Sequence, residues 1–420
     1  MHCKPSLTRP RFWGLPMNIV DDDKGVHRDV PPLGIVTIVA VFLLAGLGQI
    51  VSYITPFTLT ALMKGYGLSQ GRAAVAVSVE IGSLAVAMLF ASRRVKTLNL
   101  RFAATAGTLV ALAGQAITLM GTSYAGLLVA RGACGLGTGF MIAVAYSVIS
   151  RSPAPARLFT YQSAFLGFLV VLLFAFMPQL QALIGPAAQF LGLAIGLVIA
   201  LPFALTIKQM PVPSENVELR ASRKSSMFWL VVICVVLFGS GSNALWLHFE
   251  TMGELRGVTF SGLAITTIVS AGTMMLAPAV SLAAFRHVGG FRPIIIGNII
   301  QMIVIAADLL IDSAPLFIAS ALVLNFIIAV QLVYARILAA DMDSSGSMAS
   351  GVGGADFAGT FVGPLIGGLF IVHATENQWF VAAILSALLT SIIVAIGSGR
   401  ILSGEKSDGR LTIGSPNTAL

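Results

Sequence analysis

Three ionisable residues lie inside long apolar stretches of this sequence, where charge is otherwise rare. They are Glu80, Arg131 and Asp356. Near the centre of a bilayer such a group costs about 2.5 kcal/mol or more, and those that are kept usually serve a proton or substrate pathway. The residue types therefore indicate proton transfer or the binding of a charged solute, provided that these stretches cross a membrane.

Glu80 and Arg131 form the first candidate pair. They lie ten and seven residues into their stretches, which corresponds to depths of roughly 15 Å and 10 Å in an α-helix. Burial disfavours a charged carboxylate and a nearby guanidinium favours it, so a change in their separation could move a proton. One hypothesis makes Glu80 a proton-coupling carboxylate, with Arg131 as its modulator or as the ligand of an anionic substrate group. The alternative is a permanent pair that fixes helix packing.

Asp356 is the second candidate for proton coupling. It lies seven residues into its stretch, counted from the side that we expect to be cytoplasmic. It could titrate during a transport cycle. It could instead pair statically with Arg336, which lies at the inner end of the preceding stretch.

The elements that must position these residues are twelve apolar stretches, each about the length of a membrane span. About 20 apolar residues in a helix cross the roughly 30 Å hydrocarbon core of a bilayer, and backbone groups in lipid need the internal partners that a helix supplies. Only 10% of the residues are charged, against about 25% in soluble domains. We therefore predict an all-α integral membrane protein. Its spans are 33–53, 70–91, 102–120, 124–149, 158–178, 185–205, 228–248, 260–284, 293–311, 315–338, 349–372 and 378–396.

The distribution of basic residues predicts the orientation of these spans. With the N-terminus inside, 21 of the 25 Lys and Arg residues fall on the inner side, Arg336 among them, and 3 fall outside. Short cytoplasmic loops retain positive charge, so both termini are expected in the cytoplasm. The basic residues are spread over every inner loop, which fits an anionic inner leaflet and does not suggest nucleic-acid binding. The absence of an Asn-x-Ser/Thr sequon favours a bacterial inner (plasma) membrane.

A long hydrophilic connection divides the spans into two sets of six. It contains two prolines and mixed charges, as a flexible linker does. A short basic loop follows the second span of each set, which indicates a weak internal repeat. The predicted organisation is an N-terminal tail 1–31, a six-helix bundle 32–207, the linker 208–227, a second six-helix bundle 228–398 and a C-terminal tail 399–420.

Two motifs and this topology resemble the major facilitator superfamily (MFS). The segment Arg131–Gly139 is similar to the Arg-x-x-x-Gly-x-Gly-x-Gly signature of the family's fourth span. The loop Phe285–Arg292 is similar to its Asp-Arg-x-Gly-Arg-type gating motif, whereas Ser92–Lys96 keeps only the positive charge. The proline-glycine motif of drug/proton antiporters is missing from 158–178, and a similar pattern occurs at Gly359–Gly368 instead.

The resemblance implies two pseudo-symmetric six-helix bundles that rock about a central binding site. It makes the spans of Glu80 and Arg131 neighbours, and it assigns gating loops to Arg93, Arg94, Arg286 and Arg292. It also implies that neutral polar and aromatic residues on spans one, four, seven and ten line a cavity suited to an organic solute, although each could equally hold helices together. These residues are Gln49, Tyr53, Tyr146, Asn243, Trp246, Asn325 and Gln331.

The expected function is secondary active transport of a small organic solute, by symport or antiport with protons. Arg131 favours a solute with an anionic group. No phosphate-binding loop or metal-ligand spacing is present, so we expect no enzyme activity, no cofactor and no metal. The expected partners are the solute, protons and the lipid bilayer, and the protein is expected to be a monomer. The alternatives are an efflux pump for amphipathic drugs and a non-transporting sensor or scaffold.

Overall fold

The computed structural model describes residues 32–211, 221–247 and 249–371, together with six positions between 385 and 393. Helices account for nearly all of this part of the chain. The first seven are α1 (Ile35–Tyr53), α2 (Thr55–Tyr66), α3 (Gln70–Arg94), α4 (Leu100–Leu119), α5 (Tyr124–Arg151), α6 (Pro155–Ile184) and α7 (Ala188–Leu205). The next seven are α8 (Ala221–Leu247), α9 (Phe249–Leu255), α10 (Phe260–Thr273), α11 (Ala277–His287), α12 (Arg292–Leu310), α13 (Ala314–Met342) and α14 (Ser347–Ile371).

Three helices of the first half begin after a residue that supplies a capping side chain. Ser69, Asn99 and Ser123 precede α3, α4 and α5, and each accepts a hydrogen bond from a backbone N–H of the first turn. Such residues satisfy donors that the helix itself leaves unpaired. In this half the predicted spans agree with the helices to within three residues, except that α6 extends to Ile184, six residues beyond the predicted end of the fifth span. Helix α8 begins at Ala221, inside the segment 208–227 that is predicted to be the linker.

Eight helices of the described chain are long and apolar enough to cross a membrane, and the pair α10 and α11 is a ninth candidate. Helices α8 and α14 occupy the predicted seventh and eleventh spans. The all-α membrane fold class is thereby confirmed. Of the twelfth predicted span, 378–396, the structure describes six positions, and the rest lies outside the described residues.

Two predicted elements differ from the observed ones. The first span does not end in a loop, because α2 follows α1 after the single residue Ile54, with Pro56 in its first turn. The predicted eighth span is broken between Thr273 and Ala277 and bends by 40°. Pro278 follows this break and cannot donate a backbone hydrogen bond, which explains why one continuous helix does not form. Hydropathy alone does not detect such breaks.

The glycine motif of α5 allows close packing against α3. A Cβ atom at Gly139 would lie 2.6 Å from the carbonyl oxygen of Leu84, and one at Gly135 would overlap the carbonyl oxygen of Glu80. Small residues at such positions let helix backbones approach one another in membranes. The motif therefore fixes the spacing of the two helices that carry Glu80 and Arg131.

The two halves of the molecule meet along α14. This helix packs against α3 and α5 of the first half, and α6 contacts α10, α11 and α13 of the second. Near the end of α14 that is expected to face the cytoplasm, called its inner end below, a Cβ atom at Gly354 would lie 2.9 Å from Leu89 of α3. Further along, the ring of Phe361 lies against Gly82. The contact between the halves therefore runs from the inner ends of these helices to their middle.

Candidate functional site

A cavity of about 130 Å³ lies between the two halves. Helices α1 and α6 form one wall, and α8, α10, α13 and α14 form the other. The polar side chains that line it are Gln49, Ser52, Tyr53, Ser242, Asn243, Thr267, Ser270, Asn325, Arg336, Asp356 and Thr360. Phe174, Met274 and Phe357 are among its apolar residues. A concave site with a few converging polar groups is the usual form of a small-molecule site.

An ion pair between Arg336 and Asp356 lies in the cavity wall. Nη2 of Arg336 donates to Oδ2 of Asp356 at 3.4 Å, and both residues are largely buried. Arg336 precedes the end of α13 by six residues and Asp356 follows the start of α14 by nine. Because a short turn joins these antiparallel helices, the two side chains come to similar depths, roughly 10 Å from the inner end.

Arg336 also contacts the first half of the molecule. Its guanidinium lies over the ring of Tyr146, 5.5 Å from the ring centroid. The Tyr146 hydroxyl donates to Oε1 of Gln49 at 3.1 Å, and Nε2 of Gln49 donates to the carbonyl of Ala45 at 3.0 Å. A polar chain therefore runs from Asp356 across the interface to α1. Among the described residues, Nε of Arg336 has no hydrogen-bond partner.

Two asparagines present their amides to the cavity from the second half. Asn243 donates its amide N–H to the carbonyl of Gly239 at 2.8 Å, and Asn325 donates to Ala321 at 3.3 Å. Both bonds run within the residue's own helix. Each amide is thereby held in one orientation, with its oxygen able to accept a hydrogen bond from a solute.

Of the seven neutral residues predicted to line the cavity, four do so: Gln49, Tyr53, Asn243 and Asn325. Tyr146 does not line the cavity, and its ring instead stacks against the guanidinium of Arg336. Gln331 donates to Oδ1 of Asn298 and to the carbonyl of Ile294, and it lines a separate apolar pocket of about 50 Å³. The side chain of Trp246 lies outside the described part of the structure.

Glu80 and Arg131 form the predicted pair, but away from the cavity. Nη2 of Arg131 lies 3.3 Å from Oε1 of Glu80 and 2.7 Å from the sulfur of Cys134. The guanidinium is stacked over Phe190 of α7 at 5.1 Å. Both charged residues are 1% exposed, and neither lines the cavity. The pair therefore lies inside the first bundle, between α3, α5 and α7, and the functional roles suggested for it stay predictions.

Arg151 at the end of α5 joins three loops at the inner side. It donates to the carbonyls of Val95 and Met210 at 2.8 Å each, and to that of Ser345 at 3.2 Å. Ser345 belongs to the second half, so this buried guanidinium connects the two bundles. The sequence pattern did not point to Arg151, because a basic residue at the inner end of a span is also what the orientation rule predicts.

The four arginines predicted in gating loops lie on this same side. Arg93 is stacked over Trp229 of α8 at 4.9 Å, which is a further contact between the halves. Arg94, Arg286 and Arg292 are exposed at helix ends.

Solved structures share this fold. The chain aligns with the crystal structure of an MFS transporter, FucP, in the outward conformation, with a TM-score of 0.67 and 12% identity over 86% of this chain and 97% of that one. A structure of the E. coli fucose:proton symporter FucP aligns with the same TM-score and coverage at 11% identity. No family model matches the sequence, and no curated protein does. At this identity the likeness shows the fold: the protein has the MFS fold, as the sequence predicts.

Proposed function

We propose that this protein, which has the MFS fold, is a secondary transporter that moves a small polar organic solute by alternating access. The observation that carries the proposal is the cavity between the two halves. Among the described residues that line it, Arg336 and Asp356 are the only charged ones. In transporters built from two repeats, substrate and coupling-ion sites lie at the interface of the repeats near the middle of the membrane.

Alternating access requires contacts that hold one side closed and can be released. Arg151 supplies three hydrogen bonds on the inner side, one of them to Ser345 of the other half. Ser350 of α14 donates to the carbonyl of Ala143 at 3.2 Å in the same region. We propose that these bonds break when the cavity opens to the cytoplasm.

Proton coupling is assigned to Asp356. Its carboxylate lies in the cavity wall, where a solute can change its surroundings, and burial makes its charge sensitive to the distance of Arg336. That the fold is also used by a fucose:proton symporter supports proton coupling. Glu80 lacks contact with the cavity, so we assign to Glu80 and Arg131 the alternative role of fixing helix packing.

The distribution of Lys and Arg supports the placement of both termini in the cytoplasm, and the absence of an Asn-x-Ser/Thr sequon supports a bacterial inner membrane. We propose that the two six-helix bundles of a monomer move relative to each other in the bilayer. The proposed partners are a small-molecule solute and protons. No chemical reaction or cofactor enters the cycle.

Transport by the purified protein in liposomes tests this proposal. A panel of labelled anionic, neutral and cationic solutes is offered first in counterflow and then with an imposed proton gradient. We expect Asp356→Asn to retain counterflow and lose gradient-driven accumulation, whereas Glu80→Gln retains both per folded molecule. Loss of coupling in Glu80→Gln alone would return the coupling role to Glu80. Counterflow of no solute would favour a sensor or scaffold, and a broad preference for amphipathic cations would favour drug efflux.

A further inference from the structure

We infer that the cavity binds a small carboxylate anion, and that the anion replaces a protonated Asp356 as the partner of Arg336. The inference rests on the proposed function, because it names the substrate class of that same cavity. It goes further in stating why a proton must accompany the substrate. When Arg336 exchanges Asp356 for the carboxylate of the solute, that one step would both bind the solute and couple its binding to proton uptake.

The contact between Arg336 and Asp356 uses only part of the hydrogen-bonding capacity of the guanidinium. One N–H of Arg336, on Nη2, reaches Oδ2 of Asp356 at 3.4 Å, whereas charge-assisted hydrogen bonds of this kind are usually about 2.7–2.9 Å long. Nε is buried and has no partner in the described structure. A guanidinium binds a carboxylate best through two parallel N–H groups. The present contact is therefore weaker than the one that a freely placed carboxylate could make.

The charge of the cavity determines which solutes can make that contact. Its described lining contains one cation and one anion. An anion added to this pair would leave a buried excess charge, which is strongly unfavourable. If Asp356 first takes up a proton, its contact with Arg336 weakens, and the carboxylate of the solute restores the balance. The site holds no net charge before and after the exchange, and one proton enters with each anion.

The surroundings of Asp356 contain no second cation that could take the place of Arg336 in the described structure. The ionisable side chains close to Asp356 in the described structure are Arg336 on α13, Tyr146 on α5 and Tyr53 on α1, and the other polar residues of the cavity lining are neutral. Helix α8 meets Asp356 with the backbone of Gly239, and α3 packs on α14 through Met88 and Leu89. A carboxylate that has lost Arg336 is therefore left without a counter-ion, which favours its protonation.

The remaining groups of the cavity fit the rest of a small polar carboxylate. The stacking of Arg336 over Tyr146 holds its guanidinium plane in one orientation. Asn243 and Asn325 offer amides, and the buried hydroxyl of Ser270 has no hydrogen-bond partner among the described residues. These neutral groups can bind a hydroxyl or amide of the solute without adding charge. The geometry therefore favours a carboxylate with neutral polar substituents.

Binding to the purified full-length protein tests the inference, with acetate and L-lactate as probes and acetamide and lactamide as their neutral counterparts. Thermal stabilisation is measured over a range of pH. We expect the carboxylates to bind and the amides not to bind. At pH values where Asp356 of the unliganded protein is ionised, the affinity for lactate should fall about tenfold per pH unit, because one proton must be taken up with each anion. Addition of lactate to weakly buffered protein should remove protons from solution, which an indicator dye detects.

Substitutions separate the two roles. Asp356→Asn imitates the protonated residue, so its binding of lactate should be tight and independent of pH. Arg336→Lys keeps the charge without the two parallel N–H groups and should bind about tenfold more weakly. Glu80→Gln, which removes a buried carboxylate elsewhere, should retain the pH dependence. If Asp356→Asn does not fold, proton uptake by the wild-type protein still decides the question.

Three results would overturn the inference: no binding of either carboxylate at low pH, binding that does not depend on pH in the wild type, or weaker binding in Asp356→Asn. Transport of neutral solutes alone would also overturn it while leaving the proposed function intact. Carboxylate binding with proton uptake but without transport in liposomes would overturn the proposed function and leave this inference intact. The two proposals can thus fail separately.

Discussion

Two buried ion pairs of the same chemical type lie in different parts of this molecule. Arg131 and Glu80 approach to 3.3 Å, and Arg336 and Asp356 approach to 3.4 Å. The first pair is enclosed within one bundle. The second lies in the wall of the cavity between the bundles, and its arginine contacts Tyr146 of the opposite half. The types and distances are nearly equal, but the surroundings differ.

In the proposed transport cycle, this difference in surroundings gives the first pair a structural role and the second a functional one. The guanidinium of Arg131 lies inside one bundle, where it donates to Cys134, stacks on Phe190 and pairs with Glu80. If the halves move as rigid units, all of these contacts move together. Arg336 lines the cavity and contacts Tyr146 of the opposite half, so it lies between surfaces that would separate in the proposed alternating access. Exchange of partners is therefore open to the second pair and closed to the first.

The largest effect is expected from Arg336→Gln. This substitution removes the only cation among the described residues that line the cavity, so binding, counterflow and accumulation of the solute should all be lost. Radiolabelled counterflow in liposomes measures this loss, with the thermal transition reported alongside to establish that the variant is folded. Retained counterflow at wild-type rates would mean that the two pairs do not differ in function.

Glu80→Gln should affect stability rather than coupling. Removal of one partner from a buried ion pair leaves an uncompensated charge and typically costs about 3–5 kcal/mol. We expect a clearly lowered thermal transition in detergent, with the solute-to-proton ratio of the surviving folded protein unchanged. The double substitution Glu80→Gln with Arg131→Met should recover much of the stability. A variant with normal stability and no coupling would reverse the assignment of the two pairs.

Gly139→Ala tests the packing that holds the first pair. A Cβ at this position would lie 2.6 Å from a carbonyl oxygen of α3, and forced overpacking of this kind costs about 1–3 kcal/mol. Gly132→Ala is the control on the same helix, because its nearest atoms would be 3.6 Å away. Thermal unfolding should distinguish the two variants, and equal transitions would argue against the close approach of α3 and α5.

Arg151→Ala should loosen the inner closure without altering either ion pair. It removes three hydrogen bonds from a buried guanidinium, each worth about 1.5–3 kcal/mol. We expect a cysteine introduced at Ser345 to react severalfold faster with a membrane-impermeant maleimide applied from the cytoplasmic side. Lys96→Ala, which removes an exposed charge from the neighbouring loop, should leave the labelling rate unchanged.

The smallest effect is expected from Tyr146→Phe. The ring that supports Arg336 remains, and the hydrogen bond to Gln49 is lost. A bond of this type contributes about 0.5–1.5 kcal/mol, so the apparent affinity for the solute should fall by a factor of roughly two to ten. Titration of the pH-dependent binding measures it. A complete loss would mean that Tyr146 contacts the solute itself.

The membrane fold could be predicted from the sequence because hydropathy identifies each span by itself, and the basic loops give the orientation of the spans as separate evidence. The depth of each residue along its helix also predicted that Glu80 could pair with Arg131 and Asp356 with Arg336. Depth does not report which way a side chain faces, so the sequence leaves open whether the first pair lies beside the solute or inside a bundle. The structure places it inside a bundle. The breaks beside Pro56 and Pro278 and the inner contact of Arg151 depend on three-dimensional packing that a hydropathy pattern does not contain.

Proton movement during transport by Asp356→Asn tests the central claim most directly. Liposomes that contain the wild-type protein and a pH-sensitive dye should show proton entry when solute enters. Liposomes with Asp356→Asn should show counterflow of solute with no movement of protons, and Glu80→Gln should behave as the wild type does. Proton entry that persists with solute in Asp356→Asn would contradict the account, because coupling would then not depend on the cavity pair.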